Sequence, residues 1–406
     1  MIWDRLFLAF KIPAYRWIWS SNFAAAAGFQ PFMVGQGWLL FELTNSPFYV
    51  GLAPGLGAAA NLIFSPLGGV LADRIDRRLL MMFAQGMMAL AVLAIGVLVV
   101  ADQIEVWQVL VLSVVQRMGM ALQRTARNTF MFDVVGRTAF MNAMAGQFLS
   151  SQGAGLIGPI GAGIVIGAFG VGPLFLALGT IILAGCFLLL KVESVPVPQR
   201  RPASVFADLR EGVAFVRGNR SIRAILLTVL ITEGLGFSTW SMFPVIASEV
   251  LNGGPVVLGL LSSFRGLGGV IGAILISSFG NIRPKGTVLF GAAFTFGLML
   301  VAFSFSQSIP LSLFLIGLVG SVAIVYNTQA QTLLPLLTPD AMRGRVLGIH
   351  SVILTSIGFG ALGMGAVATL VGVTWAIFGG GTLVAVNALG RSPSASIINR
   401  ESGSAI

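Results

Sequence analysis

Apolar residues run through this chain in long blocks separated by short polar stretches. Blocks of about 20 residues are long enough to cross roughly 30 Å of hydrocarbon as helices. In the first half they fall at Trp17–Leu40, Tyr49–Leu71, Leu79–Val100, Val106–Gln123, Met141–Ile166 and Val171–Leu190. The second half repeats the count with Ile222–Ala247, Val257–Phe279, Thr287–Phe305, Ser312–Leu334, Val346–Val371 and Thr374–Leu389. The pattern predicts an all-α membrane protein with twelve transmembrane helices. The longest hydrophilic stretch, Lys191–Arg223, lies halfway along and opens with Pro196, Pro198 and Pro202, which suit an extended linker. Beyond it Val205, Leu209, Val213 and Val216 recur at helical spacing, predicting an amphipathic helix along the inner membrane surface. The expected organisation is a six-helix bundle over 1–192, a linker over 193–221, a second six-helix bundle over 222–391 and a cytoplasmic tail over 392–406.

Charge tests this map independently. Of the 24 Lys and Arg residues, 22 fall in loops assigned to the side that holds both termini. The opposite loops hold none, only Glu42, Asp102, Glu105 and Glu249. Cations collect on the cytoplasmic side, so both termini are expected there, in an inner (plasma) membrane protein. The composition agrees: 56% of residues are hydrophobic and 9% charged, with a mean hydropathy of +0.93. The net charge of +10 is spread over short loops rather than gathered in a patch, so it sets topology and does not indicate nucleic acid. One cysteine, Cys186, and one histidine, His350, leave no disulfide framework and little material for a metal or haem site. No cofactor is expected, and no nucleophile–base set points to an enzyme. Asp4, Arg5 and Lys11 precede the first span without a small-residue cleavage site, unlike a removable signal peptide.

A shift of 207 residues brings the halves into register. Asp133 falls on Asp340, Gly153 and Gly158 on Gly360 and Gly365, and Arg78 on Lys285 in the loop Gly280-Asn281-Ile282-Arg283-Pro284-Lys285. Two related six-helix bundles leave such a repeat.

Between the second and third spans stands Gly68-Gly69-Val70-Leu71-Ala72-Asp73-Arg74-Ile75-Asp76-Arg77-Arg78. Gly69, Asp73, Arg74, Arg77 and Arg78 match the cytoplasmic signature of the major facilitator superfamily, with Asp76 where its third-position glycine is usual. The alternative is a basic loop that only sets topology. Other segments resemble the branch with the enterobactin exporters and macrolide-efflux permeases. They are Tyr15-Arg16-Trp17-Ile18-Trp19, Leu39–Pro47, Leu209–Val216 and Thr338-Pro339-Asp340-Ala341-Met342-Arg343-Gly344-Arg345-Val346. The resemblance implies the major facilitator fold, two six-helix bundles around a central cavity. It also implies a secondary transporter working by alternating access. The expected partners are a small-molecule substrate, protons and the lipid bilayer, and a monomer is expected. Asp73 is then expected to meet the start of the eleventh span near Arg343–Val346, making these residues with Asp340 and Arg345 a conformational gate. Gly158-Pro159 resembles the fifth-helix bend motif of antiporters, or else is a small-residue packing face. Arg117 resembles the fourth-helix arginine, though Ala121 replaces its following glycine.

Three ionisable groups lie near mid-depth: Arg117, Glu233 and Arg265. Such groups are costly in hydrocarbon and are functional candidates by default. Arginine stays charged and must face water, a carboxylate or carbonyl groups. Burial and a nearby arginine act on a carboxylate in opposite directions, so Glu233 suits proton coupling; the alternative is a static ion pair between helices. The branch often carries an aspartate after the first-span glycine, whereas here Gly28 is followed by Phe29. Gln30, Gln36, Asn61, Gln147, Asn327 and Gln329 are cavity-lining candidates. With both arginines charged the cavity is positive whether or not Glu233 is protonated, which favours siderophore-like over cationic drug-like cargo. Export of a bulky amphiphilic molecule leads. Uptake by the same fold, and a transport-inactive receptor or assembly partner, are the competing readings.

Overall fold

A computed structural model of the chain describes residues 8–193, 205–278, 280 and 284–404. Pro196, Pro198, Pro202 and most of the worn loop at 281–283 lie outside the described residues. Every regular element among the described residues is helical: α1 Pro13–Thr44, α2 Pro47–Ala72, α3 Arg77–Val100, α4 Val106–Phe169, α5 Val171–Leu188, α6 Val205–Gly218 and α7 Arg220–Ile231. After a broken stretch come α8 Gly254–Ser278, α9 Lys285–Ser304, α10 Ile309–Leu337, α11 Asp340–Leu354, α12 Ser356–Val371, α13 Val373–Arg391 and α14 Ser394–Ser404. Among the described residues, ten helical stretches are long and apolar enough to cross a membrane. α1, with 32 residues but Asn22, Gln30 and Gln36 along it, is not among the ten.

The fourth and fifth apolar blocks are joined. α4 runs for 64 residues with one non-helical residue, Gly136, at φ 66° and ψ 177°. The polar stretch 124–140, expected as a loop, has no proline and only this glycine. It therefore continues the helix until Gly136 adopts a dihedral pair that side-chain-bearing residues avoid. The seventh block departs in the other direction. α7 ends at Ile231 and passes into a π-helical turn at Thr232–Gly236, a 3-10 segment at Phe237–Met242, one α turn at Phe243–Val245 and a second π turn at Ile246–Val250. Gly234 and Gly236 weaken helix propensity, and Pro244 removes a donor.

The chain divides into two compact units. Unit 1 comprises Met1–Asn45, Ala59–Pro202 and Gly254–Ser263; unit 2 comprises Ser46–Ala58, Ala203–Gly253 and Phe264–Ile406. In unit 1, α1 and α3 each pack on α4 and α5, around a core that includes Ile18, Leu80, Met81, Phe130 and Leu189. Gln85 on α3 ties three further helices to its own at the centre. Its amide donates to Ile182 O at 3.0 Å, while its carbonyl accepts from Ser21 Oγ and Gln123 Nε2, each at 3.0 Å. In unit 2, α9 packs on α10 and α13, and Phe237 stacks on Phe296 with ring centroids 5.0 Å apart.

The start of α9 is held by the end of the chain. Asn399 on α14 accepts from the Gly286 amide at 2.7 Å and donates to Thr287 Oγ1 at 3.0 Å. A side-chain oxygen on a first-turn N–H does the work of an N-cap. Asn399→Ala is expected to cost about 1 kcal/mol, read as a lower thermal midpoint of the purified protein. Asn399→Asp, which keeps the acceptor, should retain most of it.

Candidate functional site

The Gly69–Arg78 segment is built around Arg77. This side chain is 2% exposed; its Nη1 pairs with Asp133 on α4 and its Nε donates to Ala72 O at 3.2 Å. Asp76, the residue in place of the usual glycine, caps α3 by accepting from the Arg78 amide at 2.8 Å. Arg78 reaches Leu190 O at 3.0 Å. Asp73 is half-buried, Arg74 exposed, and Gly69 closes the helix end by accepting from the Asp73 amide. In unit 2, Arg343 pairs with Asp340 at 2.6 Å on the surface, and Arg345 pairs with Glu211 of α6 at 2.8 Å.

The two intramembrane arginines share one mode of accommodation. Arg117 lies with its guanidinium carbon 5.1 Å from the Phe29 ring centroid, and its Nη2 is 2.7 Å from Met33 Sδ. Arg265 lies 3.9 Å from the Trp240 ring centroid, with Nε buried and without a hydrogen-bond partner. Among the described residues neither has a carboxylate within salt-bridge distance. Aromatic faces attract a cation without neutralising it, so each guanidinium is oriented yet keeps donors available for an anionic or carbonyl-rich ligand. Phe29, which stands where the branch often carries an aspartate, is the aromatic platform for Arg117. Met33 and Trp240 are 207 residues apart, the same shift that aligns the halves. That register was the signal that could have found Trp240.

Glu233 sits in the first π turn, 2% exposed, with Oε1 lacking a hydrogen-bond partner. It forms no ion pair among the described residues, so the static-ion-pair alternative has no partner there. The neutral phenol of Tyr326 on α10, itself fully buried, is within electrostatic range of it. The hydroxyls of Thr232 and Tyr326 are buried beside it and face one another. α12 crosses the turn closely: a Cβ at Gly360 would overlap the Gly234 carbonyl oxygen. π turns expose backbone groups that an α-helix would pair and recur at functional sites.

The polar candidates scatter. Gln36 donates to Ser113 Oγ and so ties α1 to α4. Gln30 lies against Gly155 and Gly158 of α4, whose Pro159 is buried with helical dihedrals on either side. Gln147 is buried with Oε1 unpartnered. Asn61 and Asn327 are half-buried. Gln329 lines a cavity of about 200 Å³ with Ser277, Lys285 and Thr332, near the start of α9.

Known proteins resemble this chain over most of its length. It is 26% identical over 347 residues to the multidrug efflux pump Tap of Mycolicibacterium fortuitum, covering 80% of this chain and 81% of that protein. It is 26% identical over 367 residues to the enterobactin exporter EntS of Salmonella typhi, covering 88% of this chain and 87% of the exporter. The crystal structure of the nucleoside transporter NupG superposes with a TM-score of 0.75 at 12% identity, covering 94% of this chain and 99% of that one. These likenesses give a helical transporter fold of the major facilitator kind and a membrane transporter rather than an enzyme. With the transmembrane secretion effector profile matching residues 6–395, the chain belongs to that family of major facilitator transporters.

Proposed function

We propose that the chain is a twelve-span exporter of the inner membrane, with both termini cytoplasmic. In this reading it moves a bulky, anionic or strongly polar amphiphile outward in exchange for protons, by alternating access. The span count follows from length. α4, at 1.5 Å per residue, would extend about 96 Å as one straight rod, more than one crossing accommodates, so it supplies two. α1, though more polar than the rest, is long enough to supply the twelfth. The one-sided distribution of cations supports the orientation. The family, and relatives whose names describe a drug pump and an enterobactin exporter, support outward transport.

The observation that carries the coupling is Glu233, a buried acid with no fixed counter-charge among the described residues. An ion-paired carboxylate is locked in one charge state. An unpaired one changes charge with the side to which water has access. Arg117 and Arg265, held on Phe29 and Trp240, supply the anion-binding groups. The test is uptake into inside-out vesicles under an imposed proton gradient, screened over siderophores and hydrophobic antibiotics. Accumulation that collapses with a protonophore supports exchange. Transport unaffected by the gradient rejects it.

A second expectation isolates the platform. Removing the Trp240 ring withdraws a cation–π contact worth about 0.5–2 kcal/mol. Trp240→Leu should then raise the apparent KM several-fold, while Trp240→Phe retains most of the affinity. An unchanged KM in the leucine variant would take Arg265 out of substrate binding.

A further inference from the structure

We propose that Arg223, Arg391 and Asn387 in unit 2 form a phosphate site that holds the headgroup of an anionic phospholipid. The three belong to packed elements: α7 contacts α13, and α14 contacts α7. Arg391 is the last residue of the apolar helix α13, and Arg223 lies in the first turn of the apolar helix α7. Both therefore sit where a hydrocarbon-crossing segment meets its polar flank, the level of lipid headgroups.

The site consists of donors. Arg223, in the first turn of α7, and Arg391, at the end of α13, lie on two packed helices and carry the same charge. Neither has a carboxylate within salt-bridge distance among the described residues. Arg391 Nε donates to Asn387 Oδ1 at 2.8 Å, and Arg223 Nη1 donates to Arg217 O at 2.9 Å. The first of these bonds fixes the amide. Turned over, Asn387 would set its NH2 against the guanidinium, so Nδ2 is the free donor of the amide, and it is buried with no acceptor. In the same first turn of α7 the Ser221 hydroxyl is 1% exposed and also unpartnered. The turn's backbone N–H groups add partial positive charge.

Two repelling guanidiniums beside a buried, unused amide donor lack one thing: an acceptor-rich anion. A phosphodiester offers one negative charge and two free oxygens, which matches two guanidiniums and an amide. The position at the ends of apolar helices favours a lipid over a free phosphate. The proposal needs only that the stretch Arg220–Val250, which α7 opens, and α13 cross the membrane, and so stands apart from the transport reading.

The full-length protein in detergent micelles is titrated with phosphatidylglycerol, or with phosphatidylcholine of the same chains, and bound lipid is counted by native mass spectrometry. Wild type should retain phosphatidylglycerol in preference. Arg223→Gln and Arg391→Gln should each weaken it about fivefold, whereas Arg210→Gln, exposed on α6, should leave it unchanged. Asn387→Asp guards against a folding artefact. It supplies the missing counter-charge in the same volume, so affinity for phosphatidylglycerol should fall while the thermal midpoint in phosphatidylcholine holds or rises. Inorganic phosphate separates the sources: weak competition supports a lipid. Protection by phosphate alone, with no advantage for phosphatidylglycerol, overturns the lipid assignment. Equal retention of the two lipids, or retention indifferent to both arginine substitutions, overturns the site.

Discussion

Glu233→Gln is expected to abolish gradient-driven accumulation of substrate while leaving downhill counterflow near the wild-type rate. Glutamine keeps the size and one carbonyl oxygen of the acid but holds no exchangeable charge. At one proton per substrate, each pH unit of gradient supports about tenfold accumulation, since it is worth 1.36 kcal/mol, and this is what the variant should lose. The environment makes the effect specific. Because Glu233 is 2% exposed and joins no ion pair among the described residues, the substitution removes no salt bridge and the fold should survive it. A variant that fails to fold would show a lowered thermal midpoint and lost counterflow together. Accumulation at the wild-type level would make Glu233 a structural acid and place the proton site elsewhere.

The largest loss of stability is expected from Arg77→Ala. Arg77 is buried, pairs with Asp133, and holds the Ala72 carbonyl at the end of α2. Truncating one partner of a buried pair leaves the other charge uncompensated, at a cost of about 3–5 kcal/mol. Asp133 is 16% exposed, so water relieves part of this and the lower end of the range applies. Arg77→Lys keeps the charge but not the two-pronged donor geometry. It should lie between the alanine variant and wild type. The double variant Arg77→Ala with Asp133→Ala should be less damaged than the two single losses added together. The measurement is the thermal midpoint of the purified protein over this cycle. A midpoint for Arg77→Ala indistinguishable from wild type would leave the segment with a conformational role and no structural one.

How much of this was legible in the sequence varies with the range of the interaction. Apolar blocks such as Leu79–Val100 announced their helices because a crossing needs about 20 apolar residues whatever surrounds them. Where the blocks misled, local backbone chemistry decided. The segment 124–140 reads as a polar loop by charge, yet nothing in it but Gly136 stops a helix. The reverse holds at Thr232–Gly236, where an apolar run conceals a π turn. At the site, the chemical types of Glu233, Arg117 and Arg265 were visible. Their partners were not, because Phe29, Met33, Trp240 and Tyr326 are apolar or aromatic residues among dozens like them. Asp76 shows the limit most directly. Against the family signature it stands out as a departure, and in the fold it is the cap of α3.

The bond between Gly286 and Asn399 spans 113 residues, and that interval has a meaning in time. As the chain is made, α9 reaches the membrane with its first turn uncovered, and the side chain that covers it arrives only after α10, α11, α12 and α13 have followed. A shortened chain ending after Arg391 would carry every apolar crossing and still leave that turn open. The segment from Ser394 to Ser404 therefore acts less as a tail than as a closing latch, and an affinity tag belongs beyond it rather than in its place.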